Sequence, residues 1–109
     1  MANIYKNAKA DLTANTATTV YTVPSDSRSI VKSIIVSEDS GNADSITLTI
    51  TDASSNVFNL FKTKAVSANA TVELLSQPLV LQESEILKAT AATANRLHIV
   101  VSVLEINRS

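Results

Sequence analysis

At 109 residues the chain is the size of one domain, long enough for about 65% of its unfolded surface to be buried on folding. Nine basic and ten acidic residues are scattered along it, so it offers no electrostatic footprint for nucleic acid or an anionic membrane as primary partner, and no apolar run reaches the roughly 18 residues that span a bilayer. The absence of cysteine removes disulfides, thiolate metal sites and cysteine nucleophiles together.

Serine and threonine number 26 and valine and isoleucine 20, a mixture suited to strands with one apolar and one hydroxyl face, so an all-β domain is expected. The start, MANIYK, lacks the apolar stretch of a signal peptide, and the protein is expected to stay in the cell that makes it. Residues 1–16 read as an N-terminal arm or first strand. Ile4 and Tyr5 look like anchors there, and the weakly patterned stretch 6–17 is suited to reaching a neighbour. Residues 17–109 form the domain proper. The segment 18–23 (TTVYTV) reads as a strand ended by Pro24 and followed by a polar loop. Residues 30–37 (IVKSIIVS) are β-branched with apolar side chains on both parities, which suits a central strand carrying a bulge.

Residues 38–44 (EDSGNAD) hold the only glycine and are the strongest turn signal, predicting that the strands on either side pair as an antiparallel hairpin. Residues 45–51 (SITLTIT) alternate strictly, with Ile46, Leu48 and Ile50 on the core side. A turn at 52–56 leads to a mixed-parity strand at 57–62, and short apolar runs follow at 71–76, 78–81 and 85–90. The alanine-rich stretch 89–94 reads as a loop because its threonines and shortness argue against a helix. The last segment, 97–106 (LHIVVSVLEI), is apolar on both faces. Leu97, Ile99, Val101 and Val103 line one side, and Val100, Leu104 and Ile106 the other. A second apolar face has to be covered, either by more of this chain or by another chain. Strands every 8 to 12 residues predict a single-domain antiparallel β-sandwich, jelly-roll-like.

Candidate chemistry is sparse. His98 is the only histidine, which excludes a histidine-rich metal site and leaves any catalytic triad dependent on it; without a nucleophile elbow, a histidine satisfied by a neighbour is the better account. Glu38, Asp39, Asn42, Asp44 and Asp52 could offer oxygen to calcium, but they lack the alternating spacing of a calcium loop and read as solvated turn residues. Glu83 and Glu85 would share a face if extended, yet no second cluster or aromatic cleft supports glycoside chemistry, and turn solvation is favoured. With two tyrosines, two phenylalanines and no tryptophan, platforms for sugars or single strands are scarce. The sequons Asn69-Ala70-Thr71 and Asn107-Arg108-Ser109 carry no weight without a secretory signal. No cofactor is expected.

Several segments together resemble a group of small structural proteins of tailed bacteriophages, in particular cyanophage-like members. They are Val20-Tyr21-Thr22-Val23-Pro24, Ile30-Val31-Lys32-Ser33-Ile34, the loop at Ser40-Gly41, Glu73-Leu74-Leu75 leading to Pro78-Leu79-Val80-Leu81, and the final segment 97–106. The likeness spans residues 17–106 and lies in order and spacing rather than in any one motif. It departs at Ser25-Asp26-Ser27-Arg28 and Gln82-Glu83-Ser84-Glu85, where glycine-containing turns are usual. The resemblance implies a β-sandwich virion protein without catalytic residues, made in the host cytoplasm and placed on the capsid surface. It would act as a cement or decoration subunit on the major capsid protein, or within neck, tail or fibre parts. A homo-oligomer, specifically a trimer, is expected, with Val100, Leu104 and Ile106 as the subunit interface; a receptor- or glycan-binding module is the alternative from another class.

Overall fold

The computed structural model describes residues 2–107; Met1, Arg108 and Ser109, and with them the end of the second sequon, lie outside the described residues. Alternating apolar and hydroxyl side chains give nine strands and no helix among these residues. They are β1 (Ala2–Leu12), β2 (Thr18–Thr22), β3 (Ser27–Glu38), β4 (Asp44–Thr51), β5 (Val57–Val66), β6 (Thr71–Glu73), β7 (Leu79–Leu81), β8 (Ile86–Ala91) and β9 (Leu97–Asn107). The first sheet has the order β1-β9-β3-β6, with β7 also paired to β3; the second has the order β2-β8-β4-β5. All pairings are antiparallel. With β6 and β7 together taking one edge position, the chain winds as an eight-stranded jelly roll, a form of β-sandwich.

The core lies between the sheets. From the first sheet come Leu12, Val31, Ile34, Val36, Leu81 and the inner side of β9; from the second come Ile46, Leu48, Leu87, Ala89 and Ala91, all but sealed from solvent. Two bulges let mixed-parity segments serve this core. In β3 the register shifts between Val31 and Ser33, so Val31 and Ile34 both point inward while Ile30 and Ile35 point out. In β2 a shift between Thr19 and Tyr21 allows Val20 and Tyr21 both to be buried.

Two expectations about neighbouring segments are corrected. The strands flanking the 38–44 turn do not form a hairpin: β3 belongs to the first sheet and β4 to the second. β3 is already paired on both sides, to β9 on one and to β6 and β7 on the other, so no edge is left for β4. Ile4 and Tyr5 are not anchored in the core. They are 49% and 74% exposed, because Tyr5 points outward and Ile4, though on the inner parity opposite Glu105, is left uncovered.

Candidate assembly face

β9 sits in the middle of the first sheet, between β1 and β3. Its Leu97, Ile99, Val101 and Val103 are buried against the second sheet, so His98, Val100, Ser102, Leu104 and Ile106 face away from it. Nothing in the described chain covers that outer side. Cross-strand register then determines which side chains share it. Tyr5, Leu104, Ile30 and Val80 form one row across β1, β9, β3 and β7. Lys9, Val100, Ile35 and Glu73 form another across β1, β9, β3 and β6. Ile106 lies between Asn3 and Arg28, and Ser102 between Asn7 and Ser33. Val80 is 60% exposed, and Val100 and Ile35 are 37% and 38% exposed; Leu104, Ile106 and Ile30 are half-buried.

The three residues expected at a subunit interface therefore lie on one face, and the structure adds Tyr5, Ile30, Ile35 and Val80 to it. The signal for Ile30 and Ile35 was the mixed parity of residues 30–35. Tyr5 and Val80 join only through strand pairing that no local pattern reveals. Two shallow depressions flank β1 on this sheet, one of about 260 Å³ lined by Lys9, Asp11, His98 and Val100 among others. The second, of about 310 Å³, is lined by Tyr5, Lys6, Asn7, Lys32 and Ser102 with Val103.

Polar groups close the ends of this sheet. His98 Nε2 lies 3.2 Å from Asp11 Oδ1 on β1, and its Nδ1 lies 3.3 Å from Asp39 Oδ2 on the β3–β4 loop. The two nitrogens thus face different carboxylates, an arrangement that ties three segments together rather than converging on one ion. Glu38, expected as a solvated turn residue, is instead buried. Its carboxylate accepts from Ser40 N (2.9 Å), Ser40 Oγ, Gly41 N (3.1 Å) and, across to the β5–β6 loop, Asn69 N (2.9 Å). Burial alone would raise its pKa, but these bonds outweigh it and hold the group at about 2 rather than 4.5. Glu73 plays a similar part beside the β3 bulge, accepting from Ser33 Oγ, Ile34 N (2.8 Å) and Leu75 N (3.2 Å). Burial opposes ionisation there too, and the three donors prevail, lowering its pKa.

Between the sheets, Tyr21 Oη donates to the buried Glu105 Oε2 at 2.5 Å and accepts from Ser29 Oγ at 2.6 Å; Lys6 Nζ lies 3.4 Å from the same carboxylate. Burial and the neighbouring carboxylate push the Tyr21 phenol above its ordinary range, so the hydroxyl remains a donor. The remaining acidic candidates serve turns. Asp52 Oδ1 accepts from Ser54 N and Asn56 N, both at 2.9 Å; the Asn56 bond leads in lowering its pKa. Asp44 accepts from Thr93 N at 3.1 Å. Glu83 and Glu85 do not share an extended face. The segment turns at Ser84 (φ +66°), and Glu85 Oε1 accepts from Gln82 N at 2.7 Å. Among the described residues no group of three or more histidine, aspartate or glutamate side chains is placed to hold a metal ion.

No family model matches the sequence, and no curated protein matches it. Solved structures do resemble the fold. A chain of the acid-stable capsid of the Helicobacter pylori bacteriophage KHP30 is 11% identical, with 97% of this chain and 89% of that one covered at a TM-score of 0.58. A chain of the disulfide-linked pili that form Bacillus endospore appendages is 12% identical, with 99% and 87% covered at 0.54. At such identities the likeness establishes the fold alone. A chain of the cyanophage Pam1 capsid is 19% identical over 94% and 84%, but its TM-score of 0.45 is too low to carry any argument.

Proposed function

We propose that this chain is a non-enzymatic structural subunit of a bacteriophage virion. It acts as a cement or decoration protein that binds the outside of the head through the major capsid protein and oligomerises, as a trimer, through the outer face of the first sheet. The observation that carries this reading is the unbroken apolar row Tyr5, Leu104, Ile30 and Val80, flanked by Val100, Ile35 and Ile106, on a face that the described residues leave open. The subunit interface in this reading is formed by Val100, Leu104 and Ile106. The fold shared with a phage capsid chain accords with this reading, as does the resemblance of residues 17–106 to small phage structural proteins. A fold hosts many functions, so the weight rests on the face.

Burying an apolar patch contributes about 25 cal/mol per Å², and repetition over many copies multiplies that contribution without requiring strong single contacts. Each subunit would then act as a staple that shell expansion or rupture has to break.

Native mass spectrometry of the wild type, Leu104→Glu and Thr19→Glu tests the interface. Thr19 is exposed and pairs with Lys88 on the opposite sheet, so it serves as the control. The expected result is the larger oligomer for wild type and Thr19→Glu, and for Leu104→Glu a folded protein that has lost the three-fold assembly and is no larger than a dimer. A wild-type monomer, or an oligomer unchanged by Leu104→Glu, overturns the assignment. Copy number in purified virions separates a head cement protein, present in many copies, from a neck, tail or fibre adaptor present in few.

A further inference from the structure

The long edges of the two sheets are not alike. On the second sheet, β2 has five residues, a bulge and a proline at position 24 just beyond it. The opposite edge, β5, is broken by two register shifts, by Thr63 at φ +51° and by the exposed Lys62 and Lys64. On the first sheet, the far side of β3 is filled by two strands of three residues each, with Pro78 ahead of the second. These are the devices by which folded proteins keep sheet edges from pairing with other chains.

β1 lacks the shortness, the bulge and the proline, and keeps as guards only its exposed charges, Lys6, Lys9 and Asp11. Its eleven residues hold no proline or glycine, and its register with β9 runs unbroken from Ala2↔Asn107 to Leu12↔Leu97. No other strand of the described residues pairs with its free side. The inward lysine that could act as a guard, Lys6, is engaged with Glu105 of its own sheet.

We infer that the free edge of β1 is a second assembly surface, which pairs antiparallel with β1 of another copy about a two-fold axis and makes one continuous sheet across both. The charges of the strand exclude some registers, and overlap over the whole strand chooses among the rest. Centring the pair on Lys9 or Lys6 would set a lysine against itself, and like charges directly opposite are destabilising. Centring it on Asn7 aligns the strand over its whole length. Tyr5 then faces Lys9, Asn3 faces Asp11, Ile4 faces Ala10 and Lys6 faces Ala8, with no like charges opposed. In this arrangement the row ending at Tyr5 continues into the Lys9, Val100 and Ile35 row of the second copy. The contact has two-fold symmetry, so it is distinct from a three-fold contact through the outer face and can link such assemblies.

The chain has no native cysteine, so single-cysteine variants report the register directly. They are made in the Leu104→Glu background, which removes any contribution from the face, and oxidised mildly before non-reducing electrophoresis. Asn7→Cys is expected to give mostly covalent dimer. Tyr5→Cys and Lys9→Cys are expected to stay monomeric separately and to cross-link when mixed. Thr19→Cys, on the other sheet, sets the background. Asn7→Cys at that background level, or Tyr5→Cys joining to itself as readily as to Lys9→Cys, overturns the inference. Neither result bears on the face, which Leu104→Glu tests by mass.

Discussion

The outer faces of the two sheets differ in what they present to solvent. On the second sheet, β4 offers Thr47, Thr49 and Thr51, β8 offers Lys88 and Thr90, β2 offers Thr19 and Thr22, and β5 offers Asn59, with Ile86 and the exposed Val57 as the apolar members beside Thr51. Threonine keeps the β-branched shape that strands favour and adds a hydroxyl that water can satisfy, so this face suits solvent. The first sheet solves the same backbone problem with Tyr5, Ile30, Ile35, Val80, Val100, Leu104 and Ile106. The contrast is the basis on which the proposed assembly is assigned to the first sheet.

The largest expected effect breaks the comparison within β9 itself. Ile99 is fully buried and Val100, beside it, is 37% exposed. Ile99→Ala should destabilise the fold by about 2–5 kcal/mol through lost burial and the cavity left behind, whereas Val100→Ala should cost the isolated subunit under about 1 kcal/mol. Urea unfolding of both variants checks this, with the Val100 variant measured in the Leu104→Glu background so that assembly does not contribute. Equal losses would mean that the outer face is covered by something within the subunit.

Much of this layout is legible in the residues and part of it is not, for reasons that differ by element. The strand 45–51 can be read because alternation over seven residues has no helical counterpart, and its Ile46 and Leu48 are core as expected. The bulge in β3 is legible because apolar side chains on both parities fit no regular strand. The 38–44 turn is visible, but turn chemistry does not say whether the chain returns to the same sheet or crosses to the other. Its crossing path is held by the Glu38 carboxylate, whose partner Asn69 is 31 residues away. Extended geometry at Glu83 and Glu85 failed for a local reason, the left-handed Ser84. The apolar rows depend on register across four strands, which is non-local by nature. Their β9 members, Val100 and Leu104, can be named from one segment and Ile30 and Ile35 are signalled by another, but only register joins them to Tyr5 and Val80.

A smaller effect concerns the loops that join the two sheets. Glu38 has a folded-state pKa of about 2 against 4.5 for the free side chain, so its ionised form is favoured by folding. The stability it contributes is fully present above about pH 4.5 and is lost progressively as pH falls toward about 2. Glu38→Gln keeps the shape but cannot supply the charge. Its melting temperature should lie below that of the wild type at neutral pH, and the gap should narrow on acidification through this window. A gap that stays constant down to pH 2 would show that the carboxylate is not the group that responds.

The smallest effect sharpens the contrast from the hydroxyl side. Among the described residues, Thr51 Oγ1 is buried without a hydrogen-bond partner, although its residue sits on the otherwise wettable face of the second sheet, opposite Ile86. A buried hydroxyl with no partner has lost water and gained nothing in return, a cost of about 1–3 kcal/mol in protein contexts. Thr51→Val keeps the branched shape and removes that oxygen. It should therefore raise the urea midpoint by an amount equivalent to about 1 kcal/mol, while Thr49→Val, one pleat along, should change little. The added methyl lies between Ile86 and Val57 on a row that ends at Thr22, and without a further apolar row beside it the variant should keep the oligomeric state of the wild type. Destabilisation of Thr51→Val by more than about 1 kcal/mol would mean that the hydroxyl is satisfied after all.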